Sequence, residues 1–394
     1  MYPTLLLRRG QDRRLRQGHL WIYSNEIDTT QTPLKSLQPG ELVVIKNASG
    51  ESLGIAYVNP NCLICARLLT RNFQQKIAVD FFEDRLQAAQ RLRARFYPQP
   101  FYRLVFGESD GLPGVVIDRF ADTFVVQLNT AGADRLQDLI LTALQNVFKP
   151  QRIVLRNDSN YRATEGLNSY EKIITGDSSE PLHIQENNAS FEAPLLTGQK
   201  TGWFYDHRDN RAELIKYVAG KSVLDVFSYL GAWGIAAACA GAQKVMCIDS
   251  SKTACEMINK NAALNKVNDR TIAICNDAFD ALTQLIAEKQ SFDIVILDPP
   301  AFIKSNKDKP TGLQAYKKLN RLGLQLTRPN GLLVSASCSM HLSGTELLEA
   351  LQHGCVKTGR EARVVAQWKQ AKDHPVHPAI KETQYLKALF CNPV

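Results

Sequence analysis

Along the C-terminal half of the chain, short apolar runs alternate with segments of helical period. Residues 222–226, 244–248, 271–275, 292–297 and 332–336 are rich in branched apolar side chains, as strands covered on both faces require. Between them, residues 234–240, 252–264, 279–288 and 311–327 carry the spacing of amphipathic helices, and Pro329-Asn330-Gly331 reads as a turn before the fifth strand. Ser343 with Glu346 has the form of a capping box opening one more helix. This alternation predicts a doubly wound parallel sheet, an α/β, Rossmann-like domain spanning residues 186–394. At its start, 191–196 reads as a strand, 197–202 as a polar loop, and Asp206 as the N-cap of a helix over 207–218.

The N-terminal half has another rhythm. In residues 1–74, short strand-like runs (19–23, 41–46, 53–58, 62–69) are separated by Pro39-Gly40, Ala48-Ser49-Gly50 and Asn59-Pro60-Asn61, which predicts a small β-barrel. In residues 75–185, Phe82, Leu86, Ala89, Leu92 and Phe96 recur at helical spacing, and the arginines between them read as a solvated face. A hairpin over 115–117 and 124–128, a helix over 136–148 and a strand over 153–156 complete a compact α+β insert.

Composition narrows the classes. With 394 residues, 44% hydrophobic and 22% charged, the chain reads as an ordinary globular protein of two or three domains. No apolar run approaches the roughly 18 residues of a membrane span, so no membrane partner is expected. The start, MYPTLLLRRG, does not read as a signal peptide, and nine scattered cysteines suggest a reducing cytoplasm. Cys62 and Cys65 form a lone CxxC without a second pair, so packing is favoured over zinc and no metal is expected. The net charge of +8 is concentrated at the N-terminus, where Arg8, Arg9, Arg13, Arg14 and Arg16 face one acid, Asp12. That cluster suits a polyanion, with Arg8, Arg13 and Arg14 as candidate RNA contacts.

Candidate chemistry gathers where the strands end. The fourth strand runs into Asp298-Pro299-Pro300, and the prolines forbid further ladder pairing beyond the acid. A carboxylate held there can accept an amino proton from a planar nitrogen heterocycle. After the first strand, Asp225-Val-Phe-Ser-Tyr-Leu-Gly231-Ala-Trp-Gly234 keeps two glycines of GxGxxG but carries Tyr229 at the first. Asp249 after the second strand can bind ribose hydroxyls, and Asp277 after the third can accept from an adenine amino group. Asp225 can hold the amino acid portion of a cofactor, with Phe227 and Gly231 in the same loop. Acids at four strand ends, with no pyrophosphate to bind, favour S-adenosylmethionine over a dinucleotide. The cluster Gln199, Lys200, Thr201, Phe204, Asp206 and Arg208 is dense for a simple connection and adds candidate cofactor contacts. Cys338 ends the fifth strand in VSASCSMHL, next to where Asp298 should lie. A pyrimidine C5 is too weak a nucleophile to take a methyl group unaided. A thiolate adding to C6 makes C5 enamine-like, after which a base removes the C5 proton.

Several motifs together resemble the bacterial 23S ribosomal RNA large-subunit cytosine-5 methyltransferases of the PUA-containing, methyltransferase I type. They are RRG…GHLWIYSNEI, YRLVFGESDGLPGVVIDRF, GQKTGWFYDHRDNR, LDVFSYLGAWG, FDIVILDPPAFIKS, SASCS and QWKQAKDHPVHP. The resemblance implies a PUA domain, a central α+β domain and a class I methyltransferase domain. It also implies S-adenosylmethionine as cofactor, 23S rRNA as partner, free or in a large-subunit assembly intermediate, and Cys338 as nucleophile. A homodimer stays open. Another group of RNA cytosine-5 enzymes carries a second cysteine where this chain has Ala301, so proton removal would fall to Asp298 or a water. The alternatives are methylation of a purine nitrogen or of uracil C5, and a non-catalytic RNA-binding assembly factor. The central expectation is geometric: the sulfur of Cys338 and the carboxylate of Asp298 share one pocket.

Overall fold

The computed structural model describes residues 2–196, 198 and 201–394. The chain divides into two compact units, each built from segments that are discontinuous in sequence. The first comprises Met1–Leu182, Pro194–Tyr205 and Lys372–Thr383; the second comprises His183–Ala193, Asp206–Ala371 and Gln384–Val394.

The first unit contains two sheets. β1 (Thr4–Leu6), the single-turn helix α1 (Arg13–Arg16), β2 (Trp21–Tyr23), β3 (Glu41–Lys46), β4 (Ser52–Val58) and β5 (Ile64–Thr70) make up the N-terminal part. Its strands run in the order β1-β3-β4-β5-β2. A bridge from Leu7 to Ile27 ties the β1 edge to the chain just after β2, drawing the sheet towards a barrel. Leu5, Ile22, Val43, Ile45, Ala56 and Cys65 fill its interior. Cys65 thus belongs to the core, while the Cys62 thiol donates to the Thr164 carbonyl at 3.3 Å.

The second sheet follows α2 (Val79–Ala94) and consists of β6 (Phe101–Phe106), β7 (Val115–Phe120), β8 (Thr123–Leu128), β9 (Arg152–Asn157) and β10 (Tyr170–Thr175), in the order β10-β9-β8-β7-β6. Helices α3 (Ala131–Arg135) and α4 (Gln137–Phe148) connect β8 to β9, and α5 (Asn160–Thr164) precedes β10. The hairpin, helix and strand expected from the sequence are present, but the two edge strands β6 and β10 had no clear alternation to betray them. One arginine of α2 departs from the expected solvated face. Arg93 is wholly buried, with hydrogen bonds to Asp110 at 2.7 Å and to the Asp373 carbonyl at 2.8 Å. A guanidinium can be buried this way because both the charge and the spare N–H groups find partners.

The second unit opens with the hairpin β11 (Leu182–Glu186) and β12 (Ala189–Ala193), turning on Asn187 and Asn188. Both have positive φ, 51° and 64°, which asparagine tolerates and a tight hairpin turn demands. After α6 (Arg208–Leu214), the sheet strands and helices alternate: β13 (Ser222–Val226), α7 (Ala232–Cys239), β14 (Lys244–Asp249), α8 (Lys252–Leu264), β15 (Thr271–Cys275), α9 (Ala278–Ala287), β16 (Phe292–Leu297), α10 (Lys309–Leu326), β17 (Thr327–Ser337), α11 (Gly344–Thr358), β18 (Ala362–Trp368) and β19 (Lys387–Pro393). The seven-stranded order is β15-β14-β13-β16-β17-β19-β18, and β19 runs antiparallel to both its neighbours. The five parallel strands follow the sequence pattern closely, and Ser343 forms the expected capping box with Glu346. Pro329-Asn330-Gly331 does not precede the fifth strand but lies inside it. The ladder jumps from Phe292↔Thr327 to Ile294↔Leu332, so the turn is absorbed as a bulge with Asn330 at φ 60°. The strand order reverses between β13 and β16, which is where open α/β sheets bind their ligands.

Candidate active site

The loop from β13 to α7 shows how a departure from the glycine motif is accommodated. Phe227, Tyr229 and Gly231 all have positive φ, at 64°, 51° and 81°. Only the last is a glycine, so the loop holds two side chains in a left-handed conformation costing on the order of 1–2 kcal/mol each. Tyr229 stands where the motif has its first glycine, and its N–H donates to Asp249 Oδ2 at 2.8 Å. The Asp249 carboxylate, which also accepts from Ser251 N–H, therefore helps hold the strained turn. Gly234 is needed for a different reason. A Cβ there would come within 2.5 Å of Cys247 Sγ, and the Gly234 N–H donates to Asp225 Oδ2 at 2.9 Å.

Asp225 lies beneath this loop with no exposed surface. Burial, reinforced by the charges of Asp298 and Asp249, pushes its carboxyl up to about 7, against the Gly234 hydrogen bond that favours ionisation. Its Oδ1 has no hydrogen-bond partner among the described residues.

Asp298 follows β16 across the switch point. Trp233 Nε1, from the first turn of α7, donates to its Oδ2 at 3.0 Å, and His207 Nε2 lies 3.2 Å from its Oδ1. Burial alone would raise this carboxyl; the imidazole of His207 and the indole N–H of Trp233 outweigh it and hold the group below the usual carboxylate range. Neither residue stands out in the sequence as a partner for Asp298. His207 is oriented by Asn210, whose Nδ2 lies 3.0 Å from Nδ1, so Nε2 carries a proton towards Asp298 when the amide donates. The Trp233 and His207 rings lie 5.3 Å apart, and Arg211 approaches the indole face at 5.8 Å. Arg211 is locked by Glu186 of the β11–β12 hairpin through two hydrogen bonds, both side chains being buried. The same hairpin is pinned to α8 by Asn261, wholly buried, which accepts from Glu192 N–H at 2.8 Å and donates to the Leu230 carbonyl in the loop. Helical spacing gave no reason to single out Asn261 or Arg211; a polar residue on the buried face of an amphipathic helix is the sequence signal that could have found them.

Cys338 follows β17, adjacent to β16, with Leu297 opposite Ser335. It is half-buried rather than sealed in the core, and it sits between two fully buried serines, Ser337 and Ser339. Ser339 Oγ accepts from Ile303 N–H in the Asp298-Pro-Pro loop at 3.3 Å. Tyr316 of α10 hydrogen-bonds both Ser337 and Ser339 Oγ and stacks on Phe302 at 5.0 Å. The loop bearing Asp298 and the strand end bearing Cys338 are thus fastened together. Phe302 in turn meets Phe227 and Phe279, each at 6.2 Å, forming an aromatic cluster beside the strand ends.

The other expected residues divide. Asp277 is exposed and caps α9 through Oδ1, accepting from Phe279 N–H at 2.8 Å and Asp280 N–H at 3.2 Å. Asp206 does not cap a helix over 207–218: α6 runs only over Arg208–Leu214 behind His207, and the Asp206 carboxylate takes the Tyr385 hydroxyl at 2.6 Å. Arg208 begins α6 and is largely buried. Thr201 is fully buried in the first unit, where its hydroxyl donates to Asp118 Oδ2 at 2.5 Å, so its side chain serves packing there rather than a ligand. Phe204 is also in the first unit and is half-buried. Gln199 and Lys200 lie outside the described residues. Among the arginines, Arg8 and Arg13 are exposed, whereas Arg14 is committed to Glu26 at 2.7 Å and to the face of Tyr23. Arg14 therefore holds the barrel together instead of offering a free charge.

Comparison with known proteins agrees with this architecture. Residues 5–71 match the family model of a PUA-like domain, and residues 210–330 match one described as conserved hypothetical protein 95. A putative SAM-dependent methyltransferase from Streptococcus mutans shares the fold at TM-score 0.82 and 22% identity, with all of both chains covered. The putative methyltransferase SMU.776, solved in complex with SAH, does so at TM-score 0.84 and 23% identity, again over all of both chains. The protein named ribosomal RNA large subunit methyltransferase I from Erwinia tasmaniensis is 34% identical over 397 residues, covering 99% of each chain. Its namesake from Yersinia pseudotuberculosis is 35% identical over 398 residues, with the same coverage. At this identity, over the full length, the chain belongs to the ribosomal RNA large subunit methyltransferase I family.

Proposed function

We propose that the protein methylates C5 of a cytosine in 23S ribosomal RNA, with S-adenosylmethionine as methyl donor and Cys338 as a covalent nucleophile. The observation that carries this reading is the half-buried Cys338 beside the strand end that bears Asp298, at the switch point of the sheet, in a chain whose relatives are named rRNA methyltransferases.

The residues present fit the donor. The strained loop around Phe227–Gly231, the buried and unpartnered Oδ1 of Asp225, and the acids Asp249 and Asp277 after the next two strands would hold its amino acid, ribose and adenine portions. When bound, S-adenosylmethionine supplies an electrophilic methyl group. Asp298, kept ionised by His207 and Trp233, accepts from the N4 amino group of cytosine. Cys338 adds as thiolate to C6, and the electron pair of the C5–C6 double bond becomes available at C5. After methylation the C5 proton leaves, to Asp298 or to water, and the thiolate is expelled as the double bond re-forms. The target base must leave its stack to enter such a site, at a cost of about a few kcal/mol in a duplex and less in a single strand. The PUA-like segment, with Arg8 and Arg13 exposed, would supply RNA contacts.

The test is trapping on ribosomal RNA containing 5-fluorocytosine, where C5 carries no removable proton. The wild-type protein should form a stable adduct that survives denaturation, and Cys338→Ala should form none and lose methylation. Methyl transfer that persists in Cys338→Ala, or product found on a purine nitrogen, would overturn the reading.

A further inference from the structure

Lys387 is an unusual residue to find inside the sheet. It lies on β19, opposite Ser337 of β17 and therefore beside the exit of the chain towards Cys338. It is only half-exposed, and its Nζ donates to the Ser339 carbonyl at 2.6 Å, so the amine is tethered to the residue immediately after Cys338. The charged and titratable groups that act on it come from three elements. They are the Cys338 thiol at the end of β17, Glu346 at the start of α11, and through the same serines Tyr316 of α10. Glu346 is already engaged by Lys309 at 2.7 Å and by Ser343, and the Tyr316 hydroxyl is engaged by Ser337 and Ser339. The thiol is thus the group in this set without a charge to offset its partner, and the amine is the base fastened closest to it along the chain.

We propose that Lys387 activates Cys338: its amine takes the thiol proton and the resulting ammonium holds the thiolate. The proposal rests on the covalent role of Cys338 given above. In the step, the S–H bond breaks with its electron pair left on sulfur, and an N–H bond forms at Nζ. Charge is conserved, and each new ion relieves the burial of the other. One N–H stays on the Ser339 carbonyl throughout, which leaves the lone pair of the neutral amine free to accept. Burial pushes the Lys387 ammonium down to about 8, so a fraction of the neutral amine is available at neutral pH. A lysine beside a thiol lowers the thiol in turn, to roughly 3.5–7.5 from an ordinary value of about 8.5. The other cysteines supply the contrast: burial drives Cys65 and Cys391 up to about 12. Lys387 acts through Cys338 and is a positioning residue.

The experiment is alkylation of the full-length protein with iodoacetamide across a pH series, with the Cys338 peptide followed by mass mapping. In the wild type, the labelling midpoint of Cys338 should fall below that of an ordinary thiol. Lys387→Met, which keeps the buried stem, should raise the midpoint by about one pH unit or more and slow labelling at neutral pH about tenfold. Lys387→Arg, always cationic, should keep the midpoint low. A purely structural role for Lys387 leaves all three midpoints alike, and that result overturns the proposal, as does a wild-type midpoint at or above that of a free thiol. The readout does not depend on methyl transfer. Cys338→Ala with undiminished methylation defeats the covalent mechanism, whereas an unmoved midpoint in Lys387→Met defeats the activation of Cys338.

Discussion

Replacing Asp225 by Asn should change how the protein's stability responds to pH, and the size of the effect follows from where the carboxyl lies. In the folded state the group titrates at about 7, against an ordinary 3.8, chiefly because it is buried and secondarily because Asp298 and Asp249 are near. The folded state therefore keeps a proton that the unfolded chain releases, and stability falls as pH rises from about 4 to about 7 and then levels off. The full gap corresponds to about 4 kcal/mol, of which about 2.5 kcal/mol is lost between about pH 5 and about pH 8. Asparagine cannot ionise, and its carbonyl can still accept from Gly234 N–H. Whatever the amide costs beside Cys247 is the same at every pH and cancels in the comparison. Urea unfolding of wild type and Asp225→Asn at these two pH values should show the variant gaining on the wild type by about 2.5 kcal/mol as pH rises. Parallel curves, with the difference constant from acid to alkaline, would refute a buried carboxyl titrating near neutrality. The same variant should bind S-adenosylmethionine more weakly if Oδ1 is an acceptor for the donor's amino group, which calorimetry reads separately.

Trp233→Phe removes the indole donor from Asp298, so the carboxyl should move back towards its ordinary value and the acid limb of the methylation profile should shift to higher pH. A charge-assisted hydrogen bond of about 1.5–3 kcal/mol corresponds to about one to two pH units; an unmoved acid limb would mean that Trp233 only packs. Arg211→Met leaves Glu186 buried without its partner and should destabilise the second unit by about 3–5 kcal/mol in urea unfolding, with a loss below about 1 kcal/mol contradicting the lock on the β11–β12 hairpin. Arg13→Glu should weaken RNA binding and reduce the slope of log K against log salt by about one, whereas Arg14→Ala should leave the slope unchanged and lower the melting temperature, because Glu26 loses its partner. Equal salt slopes for Arg13→Glu and wild type would remove Arg13 from the interface.

Much of the second unit is legible in order of sequence because its strands are covered on both faces. A strand such as FDIVIL has no polar alternation to confuse it with anything but core, and the helices between such strands show their period cleanly. The acids after β13, β14, β15 and β16 could be located for the same reason, since each ends a recognisable run. Reading a role for each was harder. Asp249 supports the strained turn at Tyr229, Asp277 caps a helix, and Asp206 meets Tyr385, a residue far away in sequence. Edge strands β6, β10, β18 and β19 were missed because half-exposed strands of mixed character carry a weaker signal than buried ones.

The sequence by itself determined the kinds of element, their order, and which side chains stand at the strand ends, because these depend on spacing along the chain. It also determined that Tyr229 would occupy a glycine's place in the loop. Only the tertiary structure decided which of those side chains meet. His207 and Trp233 converge on Asp298, Arg211 finds Glu186 on a hairpin, and Lys387 comes beside Cys338 through an antiparallel strand 49 positions on. Burial and the pairing of charges are properties of these long-range neighbours. That is why the ionisation of Asp225, Asp298 and Lys387 cannot be read from local pattern and follows only once the strands are in register.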